Sequence, residues 1–346
     1  MAKHRVVVLG PDLDDPLLHE RAEMADLDVE FAQESPKSEG EAIEAVRGAD
    51  AIMMRGGWGT EQVIRAAEDA QVLAVYSHGF NHIDVEAATD MGIIVTNGAG
   101  MCAEEVSNQA VTMALALNRQ IVQSTNKLRN TGIWDKSDYW PIEPIDEATL
   151  GIIGFGNIGR QVSRKLGQGW RMKTLVYDPY IEPWIIREHN VEQVFELNEL
   201  CVRSDYIIVV VPLNAETFHM IGEEQFDHMK KSSFFVNVCR GSVVDEPALI
   251  KALEQGKIRG AGLDVFEQEP CDPNNPLLQM ENVITAPHMA GGSTRSAWLA
   301  RQRASQQVAA VLKGDWPSAG QNPEVTSKLG EKRRMPGSEG KITGHI

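Results

Sequence analysis

Two α/β lobes, each built on a parallel sheet, are what the sequence predicts, and three observations carry that expectation. Short β-branched runs alternate with amphipathic or acidic helical stretches from residue 6 to about 98. The same rhythm resumes from 149 to 285, and one long helical stretch with a proline-containing connection separates the two series. Strands alternating with helices form βαβ units, because parallel neighbours are joined only by crossovers. At 346 residues and 42% apolar content, the chain is long enough to fill two packed cores.

In the first series the strands are Val6–Leu9, Val29–Ala32, Ala51–Met54, Val72–Tyr76 and Ile93–Thr96, each short and mainly apolar, with helices such as Glu39–Val46 and Thr60–Ala67 between them. A helix is predicted to start near Ala103, because Val106, Ala110, Met113, Ala114, Leu117, Ile121 and Leu128 recur mostly at three- and four-residue steps. At 1.5 Å per residue, about 26 residues make a rod of roughly 39 Å, long enough to join two lobes. The next stretch, NTGIWDKSDYWPIEPIDEATL, has Gly132, two prolines and three aromatics without regular period, and reads as a connecting loop. Strands of the second series are Thr149–Ile153, Thr174–Tyr177, Tyr206–Val211, Phe234–Val238, Gly262–Val265 and Val283–Thr285. From Ser327 the sequence is polar, glycine-rich and aperiodic, so residues 327–346 are expected to form a mobile tail.

Composition excludes several classes. A formal charge of −16 without a basic stripe argues against a nucleic-acid surface. The longest apolar runs, such as Ile207–Val211, fall far short of the roughly 18 residues needed to cross a bilayer. The N-terminus reads as a strand and turn rather than a signal peptide, so the expected location is the cytoplasm. Cys102, Cys201, Cys239 and Cys271 are far apart, with no C-x-x-C and no histidine at zinc spacing; free thiols and no metal are expected. Any anionic ligand must then be held by local features against the net field.

One such feature is the run TLGIIGFGNIGRQVSRKL, where Gly154-x-Gly156-x-x-Gly159 directly follows an apolar strand and precedes a helix with Ile158, Val162 and Leu166 on its inner face. Alone, this spacing is weak evidence. Asp178, 19 residues after Gly159 at the end of the next strand, strengthens it, because a carboxylate there accepts hydrogen bonds from an adenosine ribose. Gly154 suits the tight turn, Gly156 the approach of a pyrophosphate, and Gly159 the packing of helix on strand, while the helix N-terminus favours phosphate. Asp178 would repel a 2′-phosphate, so NAD is expected in preference to NADP.

Three later segments each end in one residue able to do acid–base or anion chemistry: Arg240 after FFVNVC, Glu269 in VFEQEP, and His288 in ITAPHMAGGST. In a parallel sheet, residues at the carboxyl ends of strands converge on one crevice. Interconverting a 2-hydroxy acid and its keto acid with a nicotinamide needs a clamp for the carboxylate and a group to move the hydroxyl proton. The planar guanidinium fork of arginine suits the first and an imidazole the second. A carboxylate on the other ring nitrogen, as Glu269 would be, orients the ring and favours its protonated form.

The runs LGIIGFGNIG, YDPY, VNVCRGSVVDEPALIKAL, GAGLDVFEQEP and APHMAGGST closely resemble the D-isomer-specific 2-hydroxyacid dehydrogenases, a family that includes phosphoglycerate dehydrogenases, glyoxylate/hydroxypyruvate reductases and the C-terminal-binding-protein corepressors. The resemblance covers roughly residues 50 to 325. It implies two Rossmann-like lobes: a discontinuous flavodoxin-like substrate-binding domain at 1–102 plus 298–326, and an inserted NAD-binding Rossmann domain at 103–297, with the site in the cleft between them. It also implies Arg240 as carboxylate clamp, His288 as proton donor and acceptor and Glu269 as its partner. Cofactor contacts are implied at Gly154, Gly156, Asn157, Ile158, Gly159, Asp178, Pro212, Val238, Cys239, Arg240, Asp264, His288, Ala290 and Gly291. In SHGFNHID, the backbone around His78 and Gly79 would also hold the carboxylate, and Arg55 matches a place where some relatives meet a distal phosphate. A homodimer through the NAD-binding lobe is implied, with Trp134, Tyr139 and Trp140 candidates to reach the neighbouring site.

Departures from the family pattern concern the substrate. Ser107, Asn108 and Gln109 replace the small, acidic and histidine residues usual there, Trp58 puts bulk near the expected cleft, and nothing after residue 330 resembles the regulatory module of long phosphoglycerate dehydrogenases. The expected function is therefore an NAD-dependent oxidoreductase of a small D-2-hydroxy acid. Two alternatives stand beside it: a phosphoglycerate-type enzyme using Arg55, and an NAD-sensing, corepressor-like interaction protein. HMAGGST lacks the tryptophan that follows the histidine in the corepressors, which favours the enzyme.

Overall fold

The computed structural model describes residues 3–11, 17–139 and 141–329. Trp140 and most of the expected tail, 330–346, lie outside the described residues. The chain divides into two compact units, Met1–Met101 with Ser293–Ile346, and Cys102–Gly292.

The first unit holds five parallel strands, β1 (His4–Leu9), β2 (Val29–Glu34), β3 (Ala51–Met54), β4 (Val72–Val75) and β5 (Ile94–Thr96), in the order β2-β1-β3-β4-β5. That is a flavodoxin-like order, reversing between β1 and β3. Both faces are covered, which is why β3 and β4 are continuous apolar runs instead of alternating ones. Val7, Leu9, Ile52 and Leu73 pack on one side with the helices Glu39–Val46, Glu61–Ala66 and Val85–Asp90. Val6, Val8, Met53 and Ala74 pack on the other with Ala300, Ala304 and Val308 of the helix Thr294–Leu312, far along the chain. Asn322 fastens the chain that follows this helix: Oδ1 accepts from Val95 N at 2.8 Å, and Nδ2 donates to Ile93 O at 2.9 Å and Thr89 Oγ1 at 3.0 Å.

In the second unit β6 (Thr149–Ile153), β7 (Lys173–Tyr177), β8 (Glu192–Gln193), β9 (Tyr206–Val209), β10 (Phe234–Asn237), β11 (Gly260–Leu263) and β12 (Val283–Thr285) form one parallel sheet in the order β12-β11-β10-β9-β6-β7-β8. The order reverses between β6 and β9, the arrangement of a Rossmann fold. The helix Ala103–Arg119 covers β10 and β11, with Met113 so close to Gly262 that a Cβ there would lie 2.9 Å from Met113 Cβ.

That helix corrects an expectation. The rod predicted from Ala103 to Leu128 is broken at Gln120, whose φ of 50° is left-handed, and a second helix, Ile121–Thr131, follows. Ile121 and Leu128 continue the apolar spacing yet are 56% and 42% exposed. Asn118 instead turns inward, donating to Tyr206 Oη at 2.7 Å and Glu143 O at 3.1 Å, while Gln120 Nε2 donates to Tyr139 O at 2.9 Å. These bonds, to the following loop and to β9, tie down the turn and outweigh continuation of the helix.

Among the described residues no helix is long and apolar enough to cross a membrane, and no group of three or more His, Cys, Asp and Glu could hold a metal ion. All four cysteines are free; burial pushes the Cys201 thiol up to about 12 and the Cys239 thiol to about 11, so neither is a thiolate nucleophile at neutral pH.

Candidate active site

Every candidate of the second unit follows the carboxyl end of a strand. After β6 comes the glycine loop, and each glycine has its own reason. Gly154 has φ 93°, and a Cβ there would meet Val211 Cγ1 at 2.8 Å and Val210 O at 2.9 Å. At Gly159 a Cβ would lie 2.2 Å from Gly154 O, so only glycine lets the helix Asn157–Val162 close onto the turn. Gly156 is different: a Cβ would meet nothing within 4 Å, so the loop faces open space at the position where the fingerprint expects a pyrophosphate. The first helical amides, including those of Asn157 and Ile158, have no intrahelical acceptor and point that way. Past Val162 the helix rewinds as a π-helix, Ser163–Gly169.

Asp178, just past β7, is held beside this loop: Oδ2 accepts from Phe155 N at 2.8 Å and Oδ1 from Tyr180 N at 3.0 Å. Each oxygen keeps a lone pair for a ribose hydroxyl. The glycine cradle, the helix start and the fixed carboxylate together fit an adenine dinucleotide.

Beyond β9, Pro212 O accepts from Thr217 Oγ1 at 2.6 Å. Beyond β10, Val238 and Cys239 are buried and Arg240 is half-buried, with Nη1 donating to Cys239 O at 2.5 Å. The turn is braced by Asn237, 1% exposed, whose Oδ1 accepts from Cys239 N at 3.1 Å and whose Nδ2 donates to Arg240 O at 2.9 Å. Gly241 then presses on the next loop so closely that a Cβ would lie 1.9 Å from Phe266 C and O. The Arg240 turn and the Glu269 loop are therefore packed backbone to backbone.

His288 and Glu269 meet directly, Nδ1 to Oε2 at 2.6 Å, and Glu269 Oε1 accepts from Phe266 N at 3.1 Å. His288 carries φ 50°, an unusual backbone for a non-glycine residue that persists only where surroundings enforce it. Asp264 does the enforcing. It is fully buried; its O accepts from His288 N at 2.7 Å, Oδ1 from Met289 N at 3.1 Å and Oδ2 from Ala290 N at 2.9 Å. Gly291 follows against Cys102. The ring's Nδ1 is thus committed to Glu269, which leaves Nε2 as the other ring nitrogen, on a side chain 46% exposed.

In the first unit, His78 O accepts from Asn97 Nδ2 at 2.7 Å and Gly79 O from Ser77 Oγ at 2.6 Å. Since peptides are trans, fixing His78 O aims Gly79 N–H the opposite way. Arg55 follows β3, its guanidinium 5.8 Å over the Tyr76 ring, and its buried Nη1 has no hydrogen-bond partner among the described residues. Tyr76 also donates to the buried carboxylate of Glu20 at 2.9 Å, and burial with that charge pushes its phenol well above the ordinary range.

The bracing residues Asn237, Asn97 and Ser77 were not singled out from sequence. The one available signal was Asn237 inside FFVNVC, since an amide buried in an apolar strand must find partners.

Comparison with known proteins adds the following. A family described as "D-isomer specific 2-hydroxyacid dehydrogenase, NAD binding domain" matches residues 111–290. A glyoxylate reductase of Thermofilum pendens is 37% identical over 335 residues, covering 94% of this chain and 96% of that protein. A D-3-phosphoglycerate dehydrogenase of Methanocaldococcus jannaschii is 41% identical over 276 residues, 80% of this chain but 52% of that protein, so the chain spans about half of its length. Among solved structures, a D-lactate dehydrogenase of Aquifex aeolicus complexed with NAD and lactic acid superposes with a TM-score of 0.76 at 28% identity, over 89% of this chain and 96% of that one.

Proposed function

The chain belongs to the D-isomer-specific 2-hydroxyacid dehydrogenase family and is an NAD-dependent enzyme of that class. From that premise we propose that it interconverts a small D-2-hydroxy acid and its 2-keto acid through Arg240, Glu269 and His288. The observation that carries this reading is the 2.6 Å contact of His288 Nδ1 with Glu269, on a histidine held in a left-handed backbone by Asp264.

Gly154, Gly156, Asn157, Ile158, Gly159 and Asp178 would hold the pyrophosphate and adenosine of NAD, with Pro212, Val238, Cys239, Ala290 and Gly291 lining the nicotinamide end. When bound, the cofactor supplies or accepts the hydride at the carbon bearing the substrate oxygen. Arg240 binds the substrate carboxylate with two parallel charged hydrogen bonds. Glu269 accepts from Nδ1–H and so selects the tautomer and orientation in which Nε2 faces the reacting oxygen. In reduction Nε2 donates its proton to the carbonyl oxygen; in oxidation it takes the hydroxyl proton back.

The partnerless Nη1 of Arg55 favours a second reading, in which the substrate carries a distal anion such as a phosphate. Both readings are tested by one panel: NADH and NADPH oxidation with glyoxylate, hydroxypyruvate, pyruvate and phosphohydroxypyruvate, on wild type and Arg55→Ala. Turnover of at least one acid with NADH well ahead of NADPH is expected, and an enzyme silent toward all of them would remove the proposed substrate class. If Arg55 meets a distal anion, Arg55→Ala raises KM for the phosphorylated acid by ~10-fold or more relative to glyoxylate; an unchanged ratio assigns Arg55 to structure alone.

A homodimer through the NAD-binding unit is part of the same proposal. Supporting it, the helix Ile121–Thr131 buries none of its residues, and Trp134 is 90% exposed and Ile133 53%. An open apolar groove lined by Leu115, Ala116, Ile121, Ile142 and Trp170 adjoins them. Sedimentation equilibrium should return twice the 38.2 kDa chain mass; a monomer at micromolar concentration contradicts the assignment.

A further inference from the structure

A second histidine–carboxylate pair lies in the NAD-binding unit, outside the catalytic set. His219 Nε2 pairs with Glu267 Oε1, two residues before Glu269, although 48 positions separate them in sequence. Neither end of this pair is loose. Side-chain exposures are 33% and 30%, and the imidazole stacks on Phe218 with ring centroids 4.0 Å apart and planes 15° from parallel.

Like His288, His219 has a left-handed backbone, φ 51°, a conformation that surroundings must hold. What holds it is the Arg240 turn. His219 N donates to Ser242 O at 2.9 Å, Ile221 N to Val243 O at 3.2 Å and Asp245 N to Ile221 O at 2.9 Å, so residues 219–221 run as a short parallel bridge along 242–245. Glu267 is tied at its other end, its N–H donating at 3.0 Å to Glu246, whose second oxygen accepts from Asn275 Nδ2 at 2.7 Å. His219 therefore bonds the Arg240 turn through its backbone and the Glu269 loop through its ring. Surface ion pairs ordinarily contribute little because two long side chains must be ordered to make them. Here both are already ordered, and the loop they hold ends at Glu269.

We propose that His219 is a positioning residue: its pairing with Glu267 fixes the Glu269 loop against the Arg240 turn, and so aligns the proton-transfer pair with the carboxylate clamp. The proposal rests on the catalytic assignment of Arg240, Glu269 and His288 given above.

The test uses the full-length enzyme as His219→Ala, Glu267→Ala, the double variant and His219→Gln, whose Nε2 can still donate to Glu267. Activity is normalised to NADH-binding sites titrated by fluorescence, which removes any change in the folded fraction. Each single alanine variant is expected to lower kcat/KM for the keto acid by ~10-fold or more through misalignment. The double variant should be no worse than either single one, because both break one contact. NADH affinity should stay within about twofold, and His219→Gln should recover most of the loss.

A second reading needs no turnover. The downfield proton resonance of the His288–Glu269 bond, identified by its absence in His288→Ala, should broaden in His219→Ala and sharpen in His219→Gln. Wild-type kcat/KM per site in His219→Ala, or losses that multiply in the double variant, would overturn the proposal. If His219→Ala does not fold, Glu267→Ala, which removes the acceptor and leaves the imidazole in place, decides by the same measurements. Retained activity in His288→Ala would strike at the catalytic assignment instead, which keeps the two failures apart.

Discussion

Replacing His288 by alanine is expected to lower kcat for reduction of a 2-keto acid by about 10³-fold, inside the 10²–10⁴ range of general acid–base catalysis. NADH affinity should be nearly unchanged. In the proposed mechanism Nε2 protonates the carbonyl oxygen, and the nearby Asp264 carboxylate cannot take its place because it is fully buried on backbone amides. Those amides also keep the 288–290 segment in place when the ring is removed, so the loss is one of chemistry and not of the loop. Stopped-flow oxidation of NADH, with affinity measured separately by fluorescence, separates the two quantities. Equal rates in variant and wild type would end the role given to His288.

Arg240→Ala should act on a different quantity. Two charged hydrogen bonds to a carboxylate contribute roughly 1.5–3 kcal/mol each, so kcat/KM for the keto acid is expected to fall by ~10²–10⁴-fold. Much of the loss should appear in KM. Arg240→Lys should recover only part, because an ammonium is a point charge without the planar fork. The brace from Asn237 and the close approach of Gly241 to Phe266 do not involve the guanidinium, so the turn itself should persist. A variant whose affinity for NADH falls while KM for the acid stays put would move Arg240 from the substrate to the cofactor.

Much of this architecture was legible because its signals are local. Gly154 and Gly159 stand where backbone packing demands glycine, and Asp178, Arg240 and His288 stand where strands end. The runs of β3, β6 and β12 matched the observed strands residue for residue; β3 and β6 are buried on both faces, whereas at the edge strand β12 only Val283 is buried. Features set by tertiary contact were not legible. The break at Gln120 was hidden because Ile121 and Leu128 prolong the apolar spacing while facing outward. β8, two polar residues at a sheet edge, has no apolar signature at all. The Asn237 brace, the bonds from Asp264 to residues 288–290 and the His219–Glu267 pair join segments whose proximity only the folded chain creates.

The central claim is that Glu269 serves catalysis through His288, as one unit with it. The measurement that tests it most directly is kcat/KM for the best keto acid in wild type, Glu269→Gln, His288→Ala and the double variant. If the two residues act as a unit, the double variant is as slow as His288→Ala and no slower. Losses that multiply would mean that each residue works independently, and the 2.6 Å contact would then be only a surface pair.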